Sequence, residues 1–237
     1  MAKKNLVVLT GAGISAESGL KTFRDSDGLW EGYDVREVAT PGAWYKNPQL
    51  VLAFYNMRRK NVADAKPNAA HFGLAELENK FDVTIITQNI DGLHQKAGSK
   101  HVAEMHGTLR TLTCTNCFKQ FESSPFLGPY IETGKIPQCL NCNGILKPDV
   151  ILFGEQLPQS AWVEAQRAAR QCDLMIVAGS SLEVLPVAGL PMQALDRGAH
   201  LIIINNTPTY LNVRADIILM GDVATTIPEI AKRVFHG

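Results

Sequence analysis

The chain opens its pattern with Leu6-Val7-Val8-Leu9-Thr10, an unbroken apolar run of strand length that stops at Gly11. The same kind of run returns at Val83-Thr84-Ile85-Ile86, at Asp173–Ala178, at Leu201-Ile202-Ile203-Ile204 and at Ala215–Leu219. Strands that are apolar throughout, rather than at alternate positions, belong to parallel sheets covered on both faces. Between them the spacing changes to that of helices. Asn47-Pro48 reads as an N-cap followed by proline at the first helical position, opening a helix that runs to about Asn61. Leu50, Phe54, Met57 and Asn61 share one stripe of it, and Val51, Tyr55, Arg58 and Val62 the next. Further helices are predicted from Pro67-Asn68 through Ala75 and Leu77, over Pro158–Gln171, over Ala188–Arg197 with Gly198 as the stop, and over Ala224–Val234. Lys147–Glu155 reads as one extended segment. Strands alternating with helices predict an α/β fold with helices on both faces of the sheet. Two stretches break the alternation: the helical segment 31–75 and the segment 108–147, expected to form a smaller lobe beside a main domain of 1–30, 76–107 and 148–237.

Composition narrows the function. A chain that is 46% hydrophobic and 19% charged is globular. Lys plus Arg and Asp plus Glu both number 23, so no net positive field is available to hold nucleic acid or a membrane surface. Met1-Ala2-Lys3-Lys4 leads straight into the first strand, with no hydrophobic stretch of signal-peptide length. The expectation is a cytoplasmic protein that acts as a monomer.

The candidate chemistry gathers at strand ends, where open α/β sheets place their ligands. Gly11-Ala12-Gly13-Ile14-Ser15-Ala16 fits a glycine-rich turn that lets backbone approach a pyrophosphate. The acidic residue that dinucleotide sites carry about 20 residues on, after a second strand, is missing. In its place stands a long polar loop with aromatic anchors, Thr22-Phe23-Arg24-Asp25-Ser26-Asp27-Gly28-Leu29-Trp30. Thr87-Gln88-Asn89-Ile90-Asp91-Gly92-Leu93-His94 brings four polar side chains together, Gln88, Asn89, Asp91 and His94, and Glu104-Met105-His106-Gly107 follows. Turn-forming residue types alone account for such a stretch equally well. Other strands end in Gly179-Ser180-Ser181 and Asn205-Asn206, so several small or polar ends converge and make a nucleotide site plausible. His71 reads as a packed or capping histidine. Cys114-x-x-Cys117 and Cys139-x-x-Cys142 offer the four-thiolate shell that structural zinc prefers, with free thiols as the alternative. Cys172 stands alone and reads as a core thiol.

The motifs, in this order along nearly the whole chain, resemble the sirtuin family of NAD-dependent protein-lysine deacylases: Gly11-Ala12-Gly13-Ile14-Ser15, Phe23-Arg24, Thr87-Gln88-Asn89-Ile90-Asp91, His106-Gly107, two C-x-x-C pairs, Phe153-Gly154-Glu155, Gly179-Ser180-Ser181 and Asn205. The resemblance implies a Rossmann-like NAD-binding domain beside a small lobe made of a helical insertion and a four-cysteine zinc ribbon. It implies that Gly11, Ala12, Gly13, Ser15 and Ala16 cradle the NAD diphosphate and that Phe23, Arg24 and Trp30 belong to a loop over the nicotinamide riboside. Gln88, Asn89, Ile90 and Asp91 would line the ribose and nicotinamide pocket, and Gly179, Ser180, Ser181, Asn205, Asn206 and Val223 would hold the adenosine half. His106 would be the general base. Val150, Phe153, Gly154 and Glu155 would lie in a strand that pairs with an acyl-lysine peptide by β-augmentation. Cys114, Cys117, Cys139 and Cys142 would hold one structural zinc ion. Tyr55 and Arg58 resemble the Tyr-x-x-Arg pair of the branch that removes succinyl and malonyl groups, with Ala39 as the small residue that keeps the acyl pocket wide. The implied activity is deacylation of succinyl-, malonyl- and acetyl-lysine with release of nicotinamide and O-acyl-ADP-ribose. Protein ADP-ribosylation at the same site, an NAD-dependent dehydrogenase and a nucleic-acid-binding zinc ribbon are the rival readings. Acyl loss from a peptide with release of free nicotinamide separates them.

Overall fold

The computed structural model describes residues 3–22 and 33–236. In chain order it runs through strand β1 (Asn5–Thr10), a 3-10 segment over Ala12–Ser18, helices α1 (Val35–Val38), α2 (Pro41–Lys46), α3 (Pro48–Asp64) and α4 (Ala69–Leu77), and strand β2 (Asp82–Thr87). Helix α5 (Leu93–Lys96) and strands β3 (Val102–Glu104), β4 (Gly107–Cys114) and β5 (Gln120–Glu122) follow, then helix α6 (Ser124–Thr133) and strand β6 (Leu146–Val150). The chain finishes with α7 (Gln159–Gln171), β7 (Leu174–Ala178), α8 (Leu190–Leu195), β8 (His200–Asn205), β9 (Ile217–Met220) and α9 (Val223–His236).

The apolar runs become a six-stranded parallel sheet in the order β3-β2-β1-β7-β8-β9. Its two faces bury separate cores, one with Val7, Leu9, Val177 and Ile203 against α7 and α8, the other with Leu6, Val8, Ile176 and Ile204 against α4 and α9. Coverage on both faces is why these strands carry apolar residues at consecutive positions. The chain travels outward from β1 to β3, then returns to place β7 on the other side of β1. The ends of β1 and β7 therefore flank a topological switch point, where a crevice opens beyond the sheet.

A second, antiparallel sheet, β5-β4-β6, forms the small lobe with α1, α2 and α3. Two expectations need correction. Helix α4, expected in the lobe as part of 31–75, packs on the parallel sheet instead, because Ala70, Leu74 and Leu77 all fall on the face that meets Ile227 and Ala231. The segment Lys147–Glu155 is not one extended piece. Residues 147–150 pair with β4, in the small lobe rather than the main domain, and the chain then turns at Phe153-Gly154, with Gly154 at a φ of 93°. The Glu155 carboxylate fixes that turn by accepting the Leu152 amide at 2.8 Å and facing the Lys147 ammonium at 3.3 Å. Among the described residues no helix is long and apolar enough to cross a membrane.

The switch point leaves no room for a side chain. Gly179 has a φ of 62°, and a Cβ on it would stand 2.5 Å from the Ile14 amide nitrogen. Gly198 has a φ of 90° with nothing within 4 Å of its Cβ position. Gly198→Ala is expected to cost about 1 kcal/mol, the conformational penalty alone. Gly179→Ala should cost roughly 1–3 kcal/mol more, since backbone must move. Urea-unfolding midpoints of the two variants check this, and equal losses would contradict it.

Candidate active site at the strand ends

The turn after β1 is docked on the turn after β7 by backbone hydrogen bonds. The Gly11 amide donates to the Ala178 carbonyl at 3.2 Å, and the Gly13 amide to the Gly179 carbonyl at 2.9 Å. Cβ atoms at Gly11 and Gly13 would lie 2.7 and 2.8 Å from Gly179 atoms. These glycines are thus demanded by chain-to-chain packing, whatever a ligand requires of them.

The end of β2 completes the crevice. Ser15 Oγ donates to Asp91 Oδ2 at 2.8 Å, and Asn89 Nδ2 reaches both the Gly11 carbonyl and Ser15 Oγ at 3.1 Å. Gln88 Nε2 donates to Ser180 Oγ at 2.9 Å, which ties β2 to β7 across β1. Asp91 also accepts the Leu93 amide at 2.9 Å and so caps α5. Ser15, Asn89 and Asp91 therefore form one hydrogen-bonded group on the Gly11 turn, with the Gln88–Ser180 pair beside it. Ala12 and Ser181 flank the same turns half-buried, while Ala16 is exposed. Asn205 is turned back on its own strand end, donating to the Thr207 carbonyl at 2.8 Å, and Asn206 faces solvent. Val223 is buried in the α9 core. Phe23, Arg24 and Trp30 lie outside the described residues.

His94 parts from the cluster that the sequence suggested. It lies under the crevice, 1% exposed, bonded to Thr10 Oγ1 at 3.0 Å and beside His71, the rings tilted by 59° with centroids 4.9 Å apart. His71 fills the capping role expected of it: Asn68 and His71 form a reciprocal capping box at the start of α4. Burial pushes His71 down to about 4 and His94 to about 3, so both are neutral near pH 7. Asn68 was not legible as a site residue, yet its Nδ2 holds the Ile14 carbonyl at 2.8 Å and Ser18 Oγ at 3.1 Å, fixing the glycine-rich turn from behind.

His106 ends the short link from β3 to β4. Its Nδ1 lies 3.0 Å from the Gln88 carbonyl, which can only accept, so the proton resides on Nδ1 and Nε2 keeps a lone pair. Burial holds its pKa below the usual 6.5, partly opposed by that carbonyl. Gly107 fixes the backbone here, with a φ of 75° and its Cβ position overlapping the Asp149 carbonyl.

The small lobe brings Ala39, Tyr55, Leu109, Val150 and Leu152 into one core, with Ile90 against it. Tyr55 is buried, and desolvation raises its hydroxyl to about 12. The Arg58 guanidinium lies 5.6 Å from the Phe54 ring centroid, and burial draws it down to about 10, still protonated near neutrality. Ala39 accepts the Phe153 amide through its carbonyl at 2.8 Å. The amides of Ile151, Leu152 and Phe153 go to His106, Glu155 and Ala39. The expected peptide-pairing strand at 153–155 is therefore a turn with its neighbouring donors already used. Phe153 is half exposed on it.

At the far end of the lobe, the Sγ atoms of Cys114, Cys117, Cys139 and Cys142 lie within 4.8 Å of one another, with pairs at 3.5 and 3.6 Å. A tetrahedral zinc with bonds of about 2.3 Å sets sulfurs roughly 3.8 Å apart, so the four thiols fit that ion. The two knuckles match: Phe118 donates to the Cys114 carbonyl at 3.1 Å and Asn143 to the Cys139 carbonyl at 2.9 Å, each with a φ of 58°. Backbone amides of Cys117 and Asn116 donate to Cys114 Sγ at 3.4 Å and lower its thiol to about 6, and the Asn141 amide donates to Cys139 Sγ at 3.4 Å. Among the described residues no further metal-binding side chain joins the group, so the shell is closed.

The fold and the crevice first define a doubly wound α/β protein built on a switch point of the kind that takes nucleotides. Comparison then gives the family. The Sir2 family model matches residues 11–186. An NAD-dependent protein deacylase of Archaeoglobus fulgidus is 45% identical over 233 residues, covering 98% of this chain and 91% of that protein. A solved Sir2 homologue in complex with NAD superposes with a TM-score of 0.90 at 42% identity, over 98% of this chain and 90% of that one. A Sir2 variant bound to a deacetylated p53 peptide and 3′-O-acetyl ADP-ribose superposes at 0.87 with 38% identity, over 98% and 93%. The chain belongs to the Sir2 family, the sirtuins.

Structural zinc contributes folding free energy directly. Cys139→Ser is expected to lose most bound zinc and to lower the melting temperature, with the small lobe affected first. Zinc content by mass spectrometry and a thermal scan check this; full zinc with an unchanged melt would sink the assignment.

Proposed function

We propose that this protein is an NAD-dependent protein-lysine deacylase that accepts succinyl- and malonyl-lysine and also acetyl-lysine. The observation that carries the reading is His106 held by the Gln88 carbonyl, beside the Ser15–Asn89–Asp91 group at a switch-point crevice. The coarser part of this reading is supported by relatives named NAD-dependent protein deacylases, and one structural relative holds a deacetylated peptide with an acetyl ADP-ribose.

NAD is the co-substrate, and its cleavage releases nicotinamide and leaves O-acyl-ADP-ribose. Gly11, Ala12, Gly13, Ser15 and Ala16 would receive its diphosphate, Gln88, Asn89, Ile90 and Asp91 the nicotinamide riboside, and Gly179, Ser180, Ser181, Asn205, Asn206 and Val223 the adenosine half. His106 takes a proton from a ribose hydroxyl at Nε2, since Nδ1 is committed to Gln88. The acyl-lysine peptide enters at the Phe153–Gly154 turn, with Val150 and Glu155 behind it. The zinc supplies no chemistry, because a closed thiolate shell has no position for water. Residues 1–30, 76–107 and 148–237 serve NAD, and 31–75 with 108–147 serve the substrate and the metal, with α4 and β6 reassigned as described above.

His106→Ala should fold and bind NAD while turnover falls by at least ~10²-fold, as for a lost general base. The base must be neutral, and burial places its pKa below 6.5, so kcat/KM should hold its plateau below pH 6.5 and fall only on further acidification. Near-normal turnover in the variant, or an acid limb centred above pH 7, would contradict the assignment.

Tyr55 lies in the core that also contains Ala39, and Arg58 is about one helical turn further along α3. A guanidinium can grip a distal carboxylate with two hydrogen bonds, and a phenol can add a third. Arg58→Met is expected to lower kcat/KM for a succinyl peptide by roughly tenfold or more relative to an acetyl peptide. Equal losses on both peptides would mean that Arg58 supports the fold and does not read the acyl group.

A further inference from the structure

Below the crevice runs a chain of polar groups that the mechanism does not use. His94 is fully buried, and its Nδ1 has no hydrogen-bond partner. Its Nε2 lies 3.0 Å from Thr10 Oγ1. Thr10 Oγ1 donates to Thr87 Oγ1 at 2.8 Å, and the Asn89 amide donates to the same Thr87 oxygen at 3.1 Å. Both threonines are at most 3% exposed, at the last positions of neighbouring strands.

The direction of these bonds follows from what each atom can do. Thr87 Oγ1 already accepts from Asn89 and Thr10. Thr10, donating onward, must then accept from His94 Nε2–H. That tautomer leaves Nδ1 as a buried acceptor without a partner, which costs less than an orphaned N–H donor. The residue between the two ends of this chain is Gln88, whose carbonyl orients His106 and whose side chain reaches Ser180. The next is Asn89, whose side chain ties Gly11 to Ser15.

We propose that His94, Thr10 and Thr87 form a positioning relay that sets the Thr87–Gln88–Asn89 turn, and through it the direction of His106 and the Asn89 amide side chain. None of the three touches the reacting atoms. The relay rests on the deacylase reading only for its catalytic consequence; its structural content stands apart from it.

Thr87→Val keeps the shape and removes the acceptor of the Asn89 amide, while Thr87→Ser keeps the acceptor. The Asn89 amide should exchange with solvent about fivefold faster in Thr87→Val, as for loss of a bond worth about 1 kcal/mol, and near the wild-type rate in Thr87→Ser. In parallel, kcat for nicotinamide release should fall by roughly tenfold in Thr87→Val and recover in Thr87→Ser, with KM for the acyl peptide little changed. His94→Phe should move both readouts the same way by a smaller factor, and added to Thr87→Val it should do no further harm. His94→Phe alone carries the test if Thr87→Val does not fold. Unchanged Asn89 exchange in these variants overturns the relay whether or not the wild-type protein turns over. Wild-type protein that releases no nicotinamide, with the exchange differences intact, overturns the deacylase reading and leaves the relay standing. Losses that multiply in the double variant also overturn the relay, because independent sites would then be at work.

Discussion

The molecule depends on one close approach. Two turns, one after β1 and one after β7, press together with glycine against glycine, the Gly13 amide bonded to the Gly179 carbonyl and the Gly179 Cβ position lying 2.5 Å from the Ile14 nitrogen. Parallel strands adjacent across a switch point splay their following turns apart, and this opens the crevice. Here the splay is limited by backbone contact, so the crevice has a rigid floor. From that floor the rest is in reach: Asn89 meets the Gly11 carbonyl, and Gln88 meets Ser180. Were either turn held a side chain's width farther off, these short polar side chains would no longer span the gap, and buried hydrogen bonds do not tolerate stretching.

Much of this was legible in the sequence for a physical reason. A strand buried on both faces must be apolar at successive positions, and β1, β2, β7 and β8 announce themselves that way. Motifs at their carboxyl ends could be placed in the crevice without knowing the strand order. The small lobe was less legible. β5 is three residues long, and α6 buries none of its side chains, so neither leaves a period to read. The turn at Phe153 was misread because Val150, Ile151, Leu152 and Phe153 look like a strand, while the group that breaks it is the Glu155 carboxylate folding back on the Leu152 amide. Side chains that capture local backbone compete with a ladder in ways that a hydrophobic pattern does not encode. Asn68, Thr10 and Thr87 were missed for a related reason. Their long-range partners lie 50 to 84 residues away, and only the folded chain brings them together.

Three histidines near the crevice are kept neutral by one cause, burial, and differ by what their nitrogens meet. His71 faces Asn68, His94 faces a threonine hydroxyl, and His106 faces a carbonyl. The carbonyl fixes the His106 tautomer outright, since it can never donate, as the Asn68 amide, which can only donate, fixes that of His71. His106 is thus left with the Nε2 lone pair free, and the Gln88 carbonyl partly opposes the downward shift that burial causes. A base needs both properties: the right nitrogen free, and a pKa near enough to neutrality that taking the proton is not prohibitive.

The helix α3 carries an energetic cost that bears on the acyl group. Arg59 is 5% exposed, bonded to Asn56 Oδ1 at 2.6 Å and to the Leu109 carbonyl at 3.3 Å, with no carboxylate paired to it among the described residues. Arg58 beside it is drawn down by burial as well. Two desolvated guanidiniums on consecutive residues repel each other and have each lost hydration, which is costly in a medium of low polarisability. An anion beside this helix would reduce such penalties, which a neutral acyl group would not. A carboxylated acyl chain reaching this helix would therefore gain from the desolvation already present, because the cost was met when the protein folded. The same charges give an acetyl group nothing and would be poorly suited to a long hydrocarbon chain. On the reading proposed above, an acyl preference would follow from where the cost of burying charge was incurred, and Tyr55, itself buried, would add direction rather than charge.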